Sequence, residues 1–93
     1  MYAIVVTVAF QDTRHDEADK MLHDMVVPSA KASNGFISGY WLHSADGTRG
    51  TSVEVFQTQA DAEAALASRG SGPPPGSPVD ILTVELMEVI ASA

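Results

Sequence analysis

The chain of 93 residues has no cysteine, so it can form neither a disulfide framework nor a thiolate metal site. It is short of positive charge: five Lys and Arg stand against twelve Asp and Glu, a net charge of −7 that repels phosphate backbones at long range and excludes nucleic acid as an expected partner. No apolar run approaches the length of a membrane span, and the N-terminus lacks the basic region of a signal peptide, so neither a membrane nor export is expected and the expected location is the cytoplasm. Aromatic residues make up only 6%, with a single Trp. Glycine fingerprints for dinucleotides, phosphate loops and nucleophile elbows are all missing, and no two of the three His stand four apart on a helix. No cofactor and no metal are therefore expected.

What the chain does have is apolar content: 45% hydrophobic residues. Residues 1–93 make one domain, and at that size folding hides only about 60–65% of the unfolded surface. The segment YAIVVTVAF, Tyr2 to Phe10, has no polar face and reads as a central strand covered on both sides. Asp12 or Thr13 can cap a following helix whose first turn carries Asp16 and Glu17. Ala18, Met21, Leu22, Met25 and Val26 form its apolar stripe. Pro28 predicts a kink, or a stop and restart, before a last turn at 29–33, and Asn34-Gly35 supplies the C-terminal cap.

Phe36 to His43 and Arg49 to Gln57 read as a hairpin, with Asp46-Gly47 as a two-residue type I′ turn. Thr58 to Asp61 resembles a capping box for an alanine-rich helix running to Ser68 and ended by Gly70. Residues 70–78, GSGPPPGSP, read as an exposed connector, and Asp80 to Ile90 as a last alternating strand. The order β-α-β-β-α-β predicts an α+β, ferredoxin-like fold: a four-stranded antiparallel sheet with both helices on one face. The other face then calls for a second subunit.

Counting outward from the turn pairs Trp41 with Ser52, Gly39 with Glu54 and Ile37 with Phe56. One face of the hairpin carries Ile37, Gly39, Trp41, His43, Ser52, Glu54 and Phe56; the other carries Phe36, Ser38, Tyr40, Leu42, Thr51, Val53 and Val55. An indole, a carboxylate and a glycine that leaves room beside it can make a small pocket with one polar handle. Glu54, between two valines, is suited either to proton transfer or to a structural role. His15, at the start of the first helix, is a second candidate base at the pocket mouth. His23 reads as exposed, and so does His43, near the hairpin tip and two pairs from Glu54.

The Pro-containing first helix followed by Gly35-Phe36, the Gly39-Tyr40-Trp41 strand and the run VEVFQTQADAEAA together resemble the dimeric α/β barrel superfamily, and within it the small proteins grouped with antibiotic-biosynthesis monooxygenases. The resemblance spans nearly the whole chain. It implies a homodimer packed sheet to sheet, and a pocket between each sheet and its own helices for a small aromatic or quinol-like ligand. It also implies a cofactor-independent monooxygenase-like activity, with Trp41, Phe56 and Gly39 contacting substrate and Glu54 or His15 taking its proton. Characterised monooxygenase-like members often carry Trp where this chain has Phe56. Two other expectations stand beside this one: a dimeric binding or accessory protein without chemistry, and a polyketide cyclase- or isomerase-like enzyme using Glu54 for proton transfer.

Overall fold

The computed structural model describes residues 1–11, 14–68 and 78–93. The strands are β1 (Tyr2–Phe10), β2 (Phe36–His43), β3 (Arg49–Phe56) and β4 (Val79–Glu88). All pair antiparallel, in the spatial order β2-β3-β1-β4. The helices are α1 (His15–Met21), which runs through a π-helical turn (Leu22–Val26) into α2 (Val27–Ala32), and α3 (Gln59–Ser68). This is the expected ferredoxin-like arrangement. The proposed caps Asp12 and Thr13, the stop at Gly70 and residues 70–77 of the connector lie outside the described residues.

The core follows from the two-residue period of the strands. Ile4 pairs with Glu54 on one side and Leu86 on the other, and Tyr2 pairs with Phe56. Ile4, Phe56, Ala62 and Ala65 form the buried centre, with Tyr2, Val6, Phe36, Leu66 and Leu86 packed around it. The buried side of α3 is alanine, and small side chains let the helix backbone approach the sheet closely. Thr58 caps α3, its Oγ1 accepting from the Asp61 N–H at 3.1 Å.

Four details differ from the sequence expectations. Pro28 interrupts the helix without stopping it. Proline has no N–H for the carbonyl four residues back, and the wider π turn just before it takes up the mismatch. That extra winding rotates the expected stripe, and Met25 is left 60% exposed.

The hairpin turn is not type I′. Among the described residues only glycines have positive φ, so Gly47 (φ 72°) is left-handed and Asp46 is not. The turn is closed by Gly47 N–H donating to the Ser44 carbonyl at 2.9 Å. Because Ala45 to Thr48 still span it symmetrically, the expected pairings of Trp41 with Ser52 and Gly39 with Glu54 hold.

The pairing of Ile37 with Phe56 does not. Ile37 is the extra residue of a bulge, Phe36 takes its place opposite Phe56, and the two rings meet edge to face with centroids 5.9 Å apart. Phe36 thus joins the helix side, where its ring adds to the core. The last strand has a bulge too, where β1 passes from Thr7 to Val8 and its partner from Thr83 to Ile81, so Leu82 drops out of the expected alternation.

Candidate functional site

Glu54, Trp41 and His43 all lie on the helix side of the sheet, since they share the face of Ile4 and Phe56. Their depths differ. Glu54 is only 1% exposed and Phe56 is fully enclosed, whereas Trp41 is half-buried and His43 exposed.

The room expected beside Glu54 is taken. A Cβ on Gly39 would stand 2.7 Å from Trp41 Cη2 and 3.2 Å from Phe36 Cζ, so the indole folds back over the glycine. Gly39 therefore serves as the seat of Trp41, where the sequence suggested a wall of free space. Glu54 and Phe56 belong to the packed end of the helix–sheet layer.

Among the described residues there are two recesses of similar volume: one of about 270 Å³ between the end of α2 and α3, lined by small and polar side chains such as Ser33, Asp61 and Ala65, and one at the other end of the layer that has an aromatic and two imidazoles. Phe10, His15, Asp19, His43 and Gly47 line this second recess, of about 260 Å³, between α1, the end of β1 and the hairpin tip. Phe10 closes its floor, its ring lying over Gly50, where an added Cβ would come within 2.8 Å of Phe10 Cζ. His15 reaches across from the first turn of α1. Its ring centroid is 5.5 Å from that of Phe10, and its Nε2 is 2.6 Å from the Gly47 carbonyl oxygen. A carbonyl only accepts, so Nε2 carries a hydrogen, and in the neutral ring Nδ1 is then the acceptor. His43 has the opposite arrangement: its Nδ1 lies 3.1 Å from the Ser44 carbonyl and donates to it, which leaves Nε2 as acceptor. Two imidazoles of complementary tautomer and one carboxylate, Asp19, thus border a recess floored by an aromatic ring.

Asp46 braces the turn that His15 grips. Its Oδ1 accepts from Ser44 Oγ at 2.7 Å, Thr48 Oγ1 at 2.8 Å and the Thr48 N–H at 3.0 Å. The Ser44 hydroxyl first, and then the two Thr48 donors, hold its carboxyl down to about 2. It stays ionised throughout the neutral range. At the opposite side, Arg14 anchors the start of α1 by donating from Nη2 to Glu17 at 2.6 Å and from Nε at 3.0 Å.

His43, Phe10 and Asp19 were not expected in the site. The register already placed His43 on the face of Trp41 and Glu54, and Asp19 stands one helical turn from His15. What the sequence did not carry was the approach of α1 to the hairpin tip. Among the described residues no group of three or more His, Cys, Asp or Glu is gathered closely enough to hold a metal ion, and no helix is long and apolar enough to cross a membrane.

No family model and no curated protein sequence matches the chain. Solved structures do match in shape. The heme-degrader MhuD from Mycobacterium tuberculosis, with two hemes bound in its active site, is similar with a TM-score of 0.76 at 15% identity over 100% of this chain and 99% of that one. Rv0793 from the same organism gives 0.68 at 19% identity, over 99% and 97%. The monooxygenase from the gene ActVA-Orf6 of Streptomyces coelicolor, in complex with Nanaomycin D, gives 0.66 at 14%, over 99% and 89%. The chain thus shares the ferredoxin-like fold of these three proteins. At these identities the likeness is one of fold, and chemistry has to be argued from the site.

Proposed function

We propose that the protein is a cofactor-independent monooxygenase-like enzyme that binds a small aromatic or quinol-like molecule at the open end of the helix–sheet layer, with His15 as the base. The observation that carries this reading is the recess itself, with its aromatic floor and two imidazole acceptors. At about 260 Å³ it lies just below the size usual for drug-sized ligands, about 300–1,000 Å³, which favours a small fused-ring compound over a macrocycle. Glu54, enclosed beside Gly39 and Ile4, does not border the recess and is assigned a structural role. Trp41 is the aromatic residue of the original set that still has exposed surface near the layer, and it is kept as a contact for a ligand reaching inward.

In the proposed reaction the ligand's ring hydroxyl gives its proton to His15. The resulting anion passes one electron to dioxygen, and the two radicals join as a peroxide that takes up a proton. The reacting ring carbon carries one hydrogen in this hydroxyl form; loss of water takes that hydrogen together with the outer OH of the peroxide and leaves a carbonyl there. One dioxygen is consumed; one of its atoms enters the product and the other leaves as water. Removal of a positioned base is expected to lower the rate by about 10²–10⁴-fold.

The test is binding of anthrones and naphthoquinols followed by Trp41 fluorescence, and then oxygen uptake by wild type, His15→Ala and Glu54→Gln. The expected result is uptake that falls steeply in His15→Ala and persists in Glu54→Gln. Undiminished uptake in His15→Ala would remove His15 as base, and loss confined to Glu54→Gln would move that role inward. Absence of binding by every compound would leave the non-catalytic reading.

We also infer that a second copy covers the open face of the sheet. Tyr40, Leu42 and Met87, which pair with Val53, Thr51 and Ala3, are 65%, 55% and 44% exposed there, an apolar strip typical of a surface that is covered in the working protein. Light scattering is expected to give twice the chain mass for wild type and the single mass for Leu42→Asp. A wild-type monomer at micromolar concentration would end this inference.

A further inference from the structure

The hairpin turn and the candidate base meet at one short hydrogen bond. We propose that the turn completes the base: the Gly47 carbonyl accepts the Nε2 proton of His15 and so makes Nδ1 the ring atom that receives a proton, with Asp46 as the positioning residue that holds this carbonyl in place. The proposal rests on His15 being the base.

Three observations support it. The bond is short, 2.6 Å, and links groups 32 residues apart, so it is made by the fold and not by local chain geometry. The carbonyl is presented by a residue at φ 72°, a conformation that only glycine adopts without cost, and an added Cβ there would stand 3.6 Å from His15 Nε2. The direction of that carbonyl depends on the turn. Asp46 is the turn's hub, accepting from Ser44 and twice from Thr48, while the Arg49 N–H donates to Ser44 Oγ at 3.1 Å.

An imidazole in water exchanges between tautomers, and only the one with an unprotonated nitrogen toward the ligand can act as base. Holding Nε2–H in a fixed bond removes that exchange. A ring nitrogen's hydrogen-bond partner in this way sets the role of the other nitrogen. Phe10, in ring contact with His15 at 5.5 Å, restricts rotation of the same ring.

The experiment is nitrogen NMR on protein labelled at histidine, with no ligand present, using exposed His23 as internal reference. In wild type, His15 is expected almost entirely as the Nε2–H tautomer, taking its titrating proton at Nδ1. Asp46→Ala is expected to raise the minor tautomer of His15 at least twofold, toward the mixture shown by His23. Asp46→Asn, which keeps an oxygen acceptor for Ser44 and Thr48, is expected to restore the wild-type spectrum. An Nδ1–H tautomer in wild type, or a His15 signal unchanged in Asp46→Ala, would overturn the proposal.

In oxygen uptake, Asp46→Ala is expected to lower kcat with little change in KM, and Asp46→Asn to recover it. The spectra are read without substrate, so failure of wild type to consume oxygen would count against the enzymatic reading while the tautomer result judged the turn separately.

Discussion

Phe56→Ala is expected to lower stability by about 3–5 kcal/mol, the usual cost of removing a fully buried Phe. For a domain of this size that corresponds to a fall in Tm on the order of 12–40 °C. The reason is position. Phe56 is 0% exposed, packs with Ile4, Ala62 and Ala65, and meets Phe36 edge to face. Its buried neighbours on α3, Ala62 and Ala65, are too short to collapse into the space left behind, and only the partly buried side chains around it, Leu66 among them, can relax toward it, so much of the cavity term remains. With total stability of only about 5–15 kcal/mol for a native domain, the variant is expected to be largely unfolded at moderate temperature. Thermal melting by circular dichroism checks this, with Phe56→Leu as a milder control. A fall of under about 5 °C in Phe56→Ala would show that this centre is not the core of the fold.

Gly39→Ala is the second large effect, and its sign is the informative part. Alanine in place of glycine within a regular element is ordinarily favourable by about 0.5–1 kcal/mol. Here the new methyl would stand 2.7 Å from Trp41 Cη2 and 2.9 Å from Cζ3. Overpacking of this kind costs about 1–3 kcal/mol, so the clash outweighs the entropic gain and the variant is expected to be less stable. The indole must also leave its seat, so Trp41 emission should move to longer wavelength in the folded variant. Urea unfolding and emission spectra on the same samples decide it. A variant that is more stable than wild type, with unchanged emission, would mean that Trp41 does not rest on Gly39.

Both effects concern the packed end of the layer, whereas the chemistry is proposed at the open end. This division is why the residues singled out from the sequence split as they did. Counting from the turn correctly placed Glu54, Phe56 and Gly39 on one shared face of the hairpin, because side chains alternate along a strand and pairing transmits that alternation across it; that this face meets the helices came from the structure. Depth along the layer is a different property. It depends on how far α1 and α3 reach over the sheet, and that distance is not encoded in the period of any one segment.

His15 and His43 illustrate the same limit. His43 reads locally as an exposed residue near a turn and His15 as a candidate base at a helix start, and both are exposed. Their shared recess arises only when α1 folds back onto the hairpin and the His15 ring finds the Gly47 carbonyl.

Element order, the central place of β1, the hairpin register from the turn to Gly39 and Glu54, and the cap at Thr58 were all set by sequence alone, because strand alternation, turn residues and capping hydroxyls act over a few neighbouring residues. The tertiary structure alone decided the bulge at Ile37 that brings Phe36 to Phe56, the π turn that exposes Met25, the seating of Trp41 on Gly39 and the meeting of His15 with the turn. Each of these settles a competition between local preference and packing across the fold, and packing of distant segments is where the larger free energies lie.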